Sequence, residues 1–314
     1  MKLLQRTMWR AGLVGMLLCM AQSEAGPLLD RLQTLRQTRA EQGGMAAVKL
    51  PVGVTIKKDI AYGPFQQQGL DVYAPAHPVD APIMMMVHGG AWRIGDKSND
   101  RVVDNKVAHW VSKGLVFVSV NYRMLPEARP DIQMQDVARA LAFVQQHAAD
   151  WGANLGKVIL MGHSAGAHLV ALLASDPAPV RQAGGRNWLA TVALDSAAFD
   201  IPAIMRKPHF GFYDEAFGQD AAYWRQMSPL EVLSQRPYPF LAVCSTRRVE
   251  SCDQANTFIQ KAGRLQGMAR LLPVDMSHAE INEQLGLESE YTRQVDQFLS
   301  QQDARLQLLL NPGR

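Results

Sequence analysis

Cysteine, net charge and long apolar runs are scarce in this chain, and each scarcity removes a class of function. Charged residues make up 19% of the 314 positions and nearly cancel, leaving a formal net charge of +3. A nucleic-acid or anionic-membrane partner calls for a basic excess, so neither is expected. No apolar stretch reaches the roughly 20 residues that a bilayer span needs, so stable membrane insertion is not expected either. The apolar segment from Ala11 to Met20 follows Lys2, Arg6 and Arg10 and leads into Ser23-Glu24-Ala25. That order predicts a secretory signal peptide over residues 1–25. Leu18, before Cys19, is not the small residue that a lipoprotein signal requires. Cleavage after Ala25 would leave 289 of the 314 residues and, by removing three cations and Glu24, lower the net charge to +1. The remainder, 26–314, is enough for one large α/β domain. Internal repeats, low-complexity tracts and a nucleotide-binding glycine loop are all absent.

Of the three cysteines, Cys244 and Cys252 survive cleavage. An exported chain meets an oxidising compartment, where nearby cysteines often pair. A disulfide between them would cinch the intervening loop; the alternative is two free thiols with Cys244 buried. The expected location is the periplasm or the exterior.

Strand and helix patterns alternate along the chain, which predicts a mostly parallel eight-stranded sheet with helices on both faces. Strands are expected near 53–60, 69–74, 82–88, 115–121, 157–162, 189–195, 239–245 and 269–274. Helices are expected near 101–112, 132–148, 165–175, 254–266 and 289–308, with an additional N-terminal helical segment at Leu28 to Gln42. Residues 197–238, rich in aromatics such as Phe199, Phe212, Tyr213 and Phe217, read as a small cap insertion. These aromatics either wall a substrate pocket or form the cap's own core.

The sharpest chemical signal is Val158-Ile159-Leu160-Met161-Gly162-His163-Ser164-Ala165-Gly166. An apolar strand runs into Gly-x-Ser-x-Gly and then into an Ala/Leu-rich helix, the context of a nucleophile elbow. The pattern alone arises by chance in about one chain in ten of this length; the bland alternative for Ser164 is a turn or N-cap serine. Upstream, Pro82 to Val87 reads as a buried strand ending in His88-Gly89-Gly90-Ala91-Trp92. Backbone N–H groups of Gly89, Gly90 and Ala165 are the candidate oxyanion donors, each worth about 3–4 kcal/mol to a tetrahedral intermediate. The alternative is an ordinary glycine turn. Trp92, beside this loop, is the candidate for substrate contact.

A general base is expected downstream, in a loop after a late strand, and His278 alone among the eight histidines satisfies both conditions. His163, adjacent to the serine, points elsewhere, and His168, one turn into the helix, is expected to pack. The acid should lie between the serine and the base. Arg247 occupies the position about three residues past the strand Pro239 to Cys244 where such folds often place it. Glu250 is the next candidate and is taken as the acid. Asp253, which reads as a helix N-cap, and Asp195, at the end of the preceding strand, are the alternatives; Glu250 itself is otherwise a solvated loop carboxylate.

The residues His88-Gly89-Gly90-Ala91-Trp92, Val120-Asn121-Tyr122-Arg123, Gly162 to Leu169, Ser228-Pro229-Leu230 and Ser277-His278 together resemble the α/β-hydrolase esterases related to hormone-sensitive lipase and kynurenine formamidase. The resemblance spans about Val54 to Leu299. It implies an α/β-hydrolase fold and hydrolysis of a small-molecule carboxylic ester through an acyl-enzyme, with no metal and no organic cofactor. Ala91 departs from the third glycine of that group, and Arg247 departs from its acid. Three readings follow: an exported serine esterase acting on small or medium esters, an arylformamidase-type amide hydrolase, and a catalytically silent binding protein of the same fold.

Overall fold

The structure, a computed structural model, describes residues 51–311. The expected signal peptide and the helical segment at Leu28 to Gln42 lie outside the described residues.

Eight strands form one sheet: β1 (Val54–Ala61), β2 (Gly69–Pro75), β3 (Ala81–Val87), β4 (Val116–Val120), β5 (Ala153–His163), β6 (Ala190–Leu194), β7 (Phe240–Ser245) and β8 (Ala269–Val274). Their spatial order is β1-β2-β4-β3-β5-β6-β7-β8. β1 and β2 pair antiparallel, β2 and β4 likewise, and every pairing from β4 onward is parallel. This is the mostly parallel eight-stranded sheet expected from the alternating pattern, and its fold is the one that the resemblance implies.

The central strands explain themselves by composition. All seven residues of β3, Ala-Pro-Ile-Met-Met-Met-Val, are buried, as a parallel strand covered on both faces requires. Alternation sorts them between two cores. Ile83, Met85 and Val87 join Val118 and Leu160 on one face, while Met84 and Met86 join Phe117, Ile159 and Met161 on the other. The first face is covered by α2 (Pro130–Gln146), α3 (Ala165–Ser175) and α9 (Val249–Arg264), through residues such as Leu141, Leu169 and Phe258. The second is covered by α1 (Asp100–Lys106), α11 (Glu290–Ser300) and α12 (Ala304–Leu310), through Val103, Phe298 and Leu306.

Three boundaries differ from expectation for local reasons. The single helix expected over 289–308 is split, because Asp303 caps a new start by accepting from Arg305 N and Leu306 N. The helix expected at 254 begins at Val249, so Asp253 lies inside α9 rather than capping it. The helix expected over 101–112 widens into a π turn at Val107–Val111.

The segment 197–238 contains four short helices: α5 (Ile201–Met205), α6 (Gly211–Phe217), α7 (Ala221–Gln226) and α8 (Pro229–Val232), with the short α4 (Ala178–Gln182) before it. Phe212, Tyr213 and Phe217 are buried and pack against one another and Trp92, while Phe199 packs on Phe240 and Phe258. The aromatics make the cap's own core. A last short helix, α10 (His278–Glu283), follows β8. Among the described residues no helix is long and apolar enough to cross a membrane.

Candidate active site

The register of the parallel strands sets the site. His163 of β5 pairs with Leu194 of β6, and Leu194 pairs with Val243 of β7. The residues after these strands therefore emerge side by side at the carboxyl edge, where open α/β sheets bind ligands.

Ser164 sits in the corner between β5 and α3 with φ 54° and ψ −117°. A non-glycine residue held there is strained, a cost of order 1–3 kcal/mol that the surroundings must impose. They do so by close approach. A Cβ on Gly162 would lie 2.4 Å from Gly166 O, and one on Gly166 would lie 2.3 Å from Val87 O. The Ser164 N–H donates to Leu194 O at 2.9 Å, tying the elbow to the end of β6.

The oxyanion-loop candidates lie beside it. A Cβ on Gly89 would come within 2.9 Å of Ser164 Cβ, so only a glycine lets this backbone lie against Ser164. None of the hydrogen bonds of the described loops uses the N–H of Gly89, Gly90 or Ala165. The loop is held from behind: His88 stacks on Tyr122 with ring centroids 4.6 Å apart, and Tyr122 Oη donates to His88 O.

His278 opens α10. Ser277 caps that helix and Glu280 reaches back to the Ser277 N–H, a capping box that fixes the histidine at the first helical position. His163 donates from Nε2 to His278 O at 3.0 Å, and the two rings pack with centroids 4.5 Å apart. His278 Nε2 is buried and has no hydrogen-bond partner among the described residues. Its Nδ1 lies 2.6 Å from Asp195 Oδ2.

The carboxylate facing His278 is therefore that of Asp195, and the expectation of Glu250 in that place is corrected. Glu250 lies in the exposed first turn of α9, and among the described residues nothing joins it to His278. Asp195 is wholly buried directly after β6, with φ 51°. Its Oδ1 accepts from Ser245 N at 2.8 Å and from Ser251 Oγ at 2.5 Å. Burial alone would raise its carboxyl. The hydrogen bond and charge of His278, the Arg248 guanidinium and the Ser251 hydroxyl outweigh that and hold it well below the usual carboxylate range. Desolvation lowers His278, helped by Arg248 and opposed by Asp195. Arg247, at the position expected for the acid, is exposed and paired with Asp275 and Glu280.

Trp92 is also corrected. It is 2% exposed, packed on Phe217 and Tyr213, with its indole N–H donated to His168 Nδ1 at 3.2 Å. Positive φ at Ala91 and Trp92 turns the chain so that the ring enters the cap core. His168 completes this network by donating from Nε2 to Met227 O. Burial lowers its pKa to about 4, which keeps it neutral. Ser245, Ser251 and Arg248 were not expected from the sequence as neighbours of Asp195. Their only sequence signal is proximity to the end of β7.

Sheet order, elbow and post-β8 histidine define an α/β-hydrolase. Solved structures agree: "ESTERASE B from Lactobacillus Rhamnosis (HN001)" superposes with a TM-score of 0.66 at 21% identity, covering 90% of this chain and 98% of that one. A truncated carbohydrate esterase from gut microbiota gives 0.68 at 16%, covering 82% and 99%. The BD-FAE family model matches residues 70–182. Esterase LipQ of Mycobacterium tuberculosis is 34% identical over 163 residues, 50% of this chain and 35% of that protein. Kynurenine formamidase of Salmo salar is 32% identical over 118 residues, 37% and 38% respectively. The chain thus spans little more than a third of the length of these two relatives. The fold is that of an α/β-hydrolase, and over these stretches the chain is similar to esterases and to kynurenine formamidase.

Proposed function

We propose that this chain is a serine esterase that hydrolyses small or medium carboxylic esters through Ser164, His278 and Asp195. The observation that carries this reading is the buried Asp195–His278 pair beside the strained Ser164 corner. Asp195 accepts from Nδ1–H and so leaves Nε2 as the proton acceptor. His278 Nε2 takes the Ser164 proton as Oγ bonds to the ester carbon, and the carbonyl oxygen becomes an oxyanion facing the N–H groups of Gly89, Gly90 and Ala165. The imidazolium then protonates the departing alcohol, leaving an acyl-serine. Water repeats the sequence to release the acid. The missing Ser164–His278 hydrogen bond is compatible with this, since such bonds often tighten only when substrate is bound.

Export to an oxidising compartment is part of the proposal. It rests on the basic-apolar-small order of residues 1–25 and is supported by the Cys244–Cys252 disulfide. A second reading, hydrolysis of an N-formyl amide by the same three residues, is favoured by the likeness to kynurenine formamidase and disfavoured by export. The purified protein should hydrolyse p-nitrophenyl acetate, and Ser164→Ala should abolish this along with fluorophosphonate labelling. Comparison of acyl chain lengths, feruloyl esters and N-formylkynurenine separates the substrate classes. A folded protein that neither labels nor turns over any of these is the silent binder, and the esterase reading fails.

A further inference from the structure

We infer that Arg248 is a positioning residue of the triad: it shares the Asp195 carboxylate with His278 and sets the pH at which the base becomes free. The inference rests on the triad proposed above. Arg248 Nη1 donates to Asp195 Oδ2, the oxygen that also accepts from His278, and lies 2.7 Å from His278 Nδ1. With Ser245 N and Ser251 Oγ on Oδ1, each oxygen of Asp195 has two donors. The Asp195 side chain is 0% exposed, whereas that of Arg248 is 31% exposed. The guanidinium is therefore the outer wall of a buried acid. Its loop is fixed: Arg248 N donates to Ser245 O, Ser245 Oγ donates to Met276 O, and the Cys244–Cys252 bond closes the segment.

The charged and titratable groups around His278 come from several elements. His163 stands at the end of β5, Asp195 after β6 and Arg248 at the start of α9. Lys106 of α1 acts on His163, Tyr213 of α6 faces Arg248 and Asp195, and Tyr291 of α11 faces Asp195. On the exposed side Arg247 pairs with Asp275 and Glu280. Arg248 is the fixed cation in direct contact with the imidazole edge. A second positive charge on the ring is disfavoured there, and Arg248 also takes part of the carboxylate that would stabilise it. Together with burial this lowers His278, so the neutral base persists to lower pH.

Removing the guanidinium raises His278, and the acid limb of kcat/KM then moves to higher pH. Arg248→Gln should shift that limb up by about one unit, and Arg248→Lys, which keeps the charge, should bring it most of the way back to its original position. Titration of the His278 ring nitrogens in ¹⁵N-histidine-labelled protein follows the same proton without turnover and should move in parallel. A limb and ring titration unmoved in Arg248→Gln, with only the melting temperature lowered, would reduce Arg248 to a structural role and overturn the inference. A Lys variant indistinguishable from the Gln variant would do the same to its charge-based form. If the unmodified protein hydrolyses no ester, the esterase reading fails, and the ring titration still decides the role of Arg248.

Discussion

Asp195 and Glu250 differ in every respect that matters for a catalytic acid. Asp195 is buried, bonded to His278 Nδ1 and braced by two donors on its other oxygen; Glu250 is exposed on the first turn of α9. An acid in this role orients the imidazole and stabilises its charged form, so its loss is costly without being total. Asp195→Asn should lower kcat by about 10²–10⁴-fold, while Glu250→Gln stays within about twofold. Steady-state kinetics on both variants, with circular dichroism to verify folding, decides the matter; the reverse pattern would remove Asp195 from the triad. Ser164 and His278 were legible because their signals are local: five residues around the elbow, and a histidine after a late strand. Asp195 was one of three open alternatives, because the pairings of Leu194 with His163 and Val243 that place it are non-local. Arg248 gave no signal, since an arginine in a loop reads as solvated. Trp92 misled through its proximity in sequence: the backbone turns at Ala91 and sends the indole inward.

At the scale of elements, the strand-turn-helix corner works because two backbones pass closer than a side chain permits. Gly166 is the tightest point, with its would-be Cβ 2.3 Å from Val87 O and 2.5 Å from His88 O. Because the obstacle is backbone, it cannot step aside as a flexible side chain would. Gly166→Ala should destabilise by about 1–3 kcal/mol, a fall of roughly 3–10 °C in Tm, and should abolish fluorophosphonate labelling. Gly263, inside α9, meets nothing within 4 Å. Gly263→Ala should raise Tm slightly, because alanine is favoured over glycine by roughly 0.5–1 kcal/mol in a helix. Scanning calorimetry on the pair checks both; an unperturbed Gly166→Ala would mean that the corner has room. All eight strands and the long helices were readable because apolar runs and 3.6-residue periodicity extend over enough residues to register. The cap helices, four to seven residues each, are too short to show a period. They are held by tertiary packing on Trp92, Phe217 and their neighbours rather than by their own propensity.

Over the whole molecule, the proposed catalytic groups are delivered by the ends of three neighbouring strands and a helix after the fourth, so the geometry is only as firm as the loops leaving that edge. The loop after β7 carries Ser245 and Arg248 against Asp195, and the disulfide from Cys244 to Cys252 ties its two ends, eight residues apart. A closed loop of this size removes unfolded-chain entropy worth on the order of 2–3 kcal/mol. For a chain of this length that corresponds to a Tm difference of roughly 5 °C. Reduction with a thiol, or the double substitution Cys244→Ala with Cys252→Ala, should lower Tm by about that amount. Either treatment should also lower kcat more than it raises KM, because the acid loses its brace while the cap, built from other residues, keeps its packed core. Thermal melts and kinetics with and without reductant read both effects. A reduced protein that melts several degrees lower with kcat unchanged would show that the bond stabilises the fold without holding Asp195. An unchanged melt would mean that the loop is fixed by Ser245 Oγ on Met276 O and by the Arg248 ion pair alone.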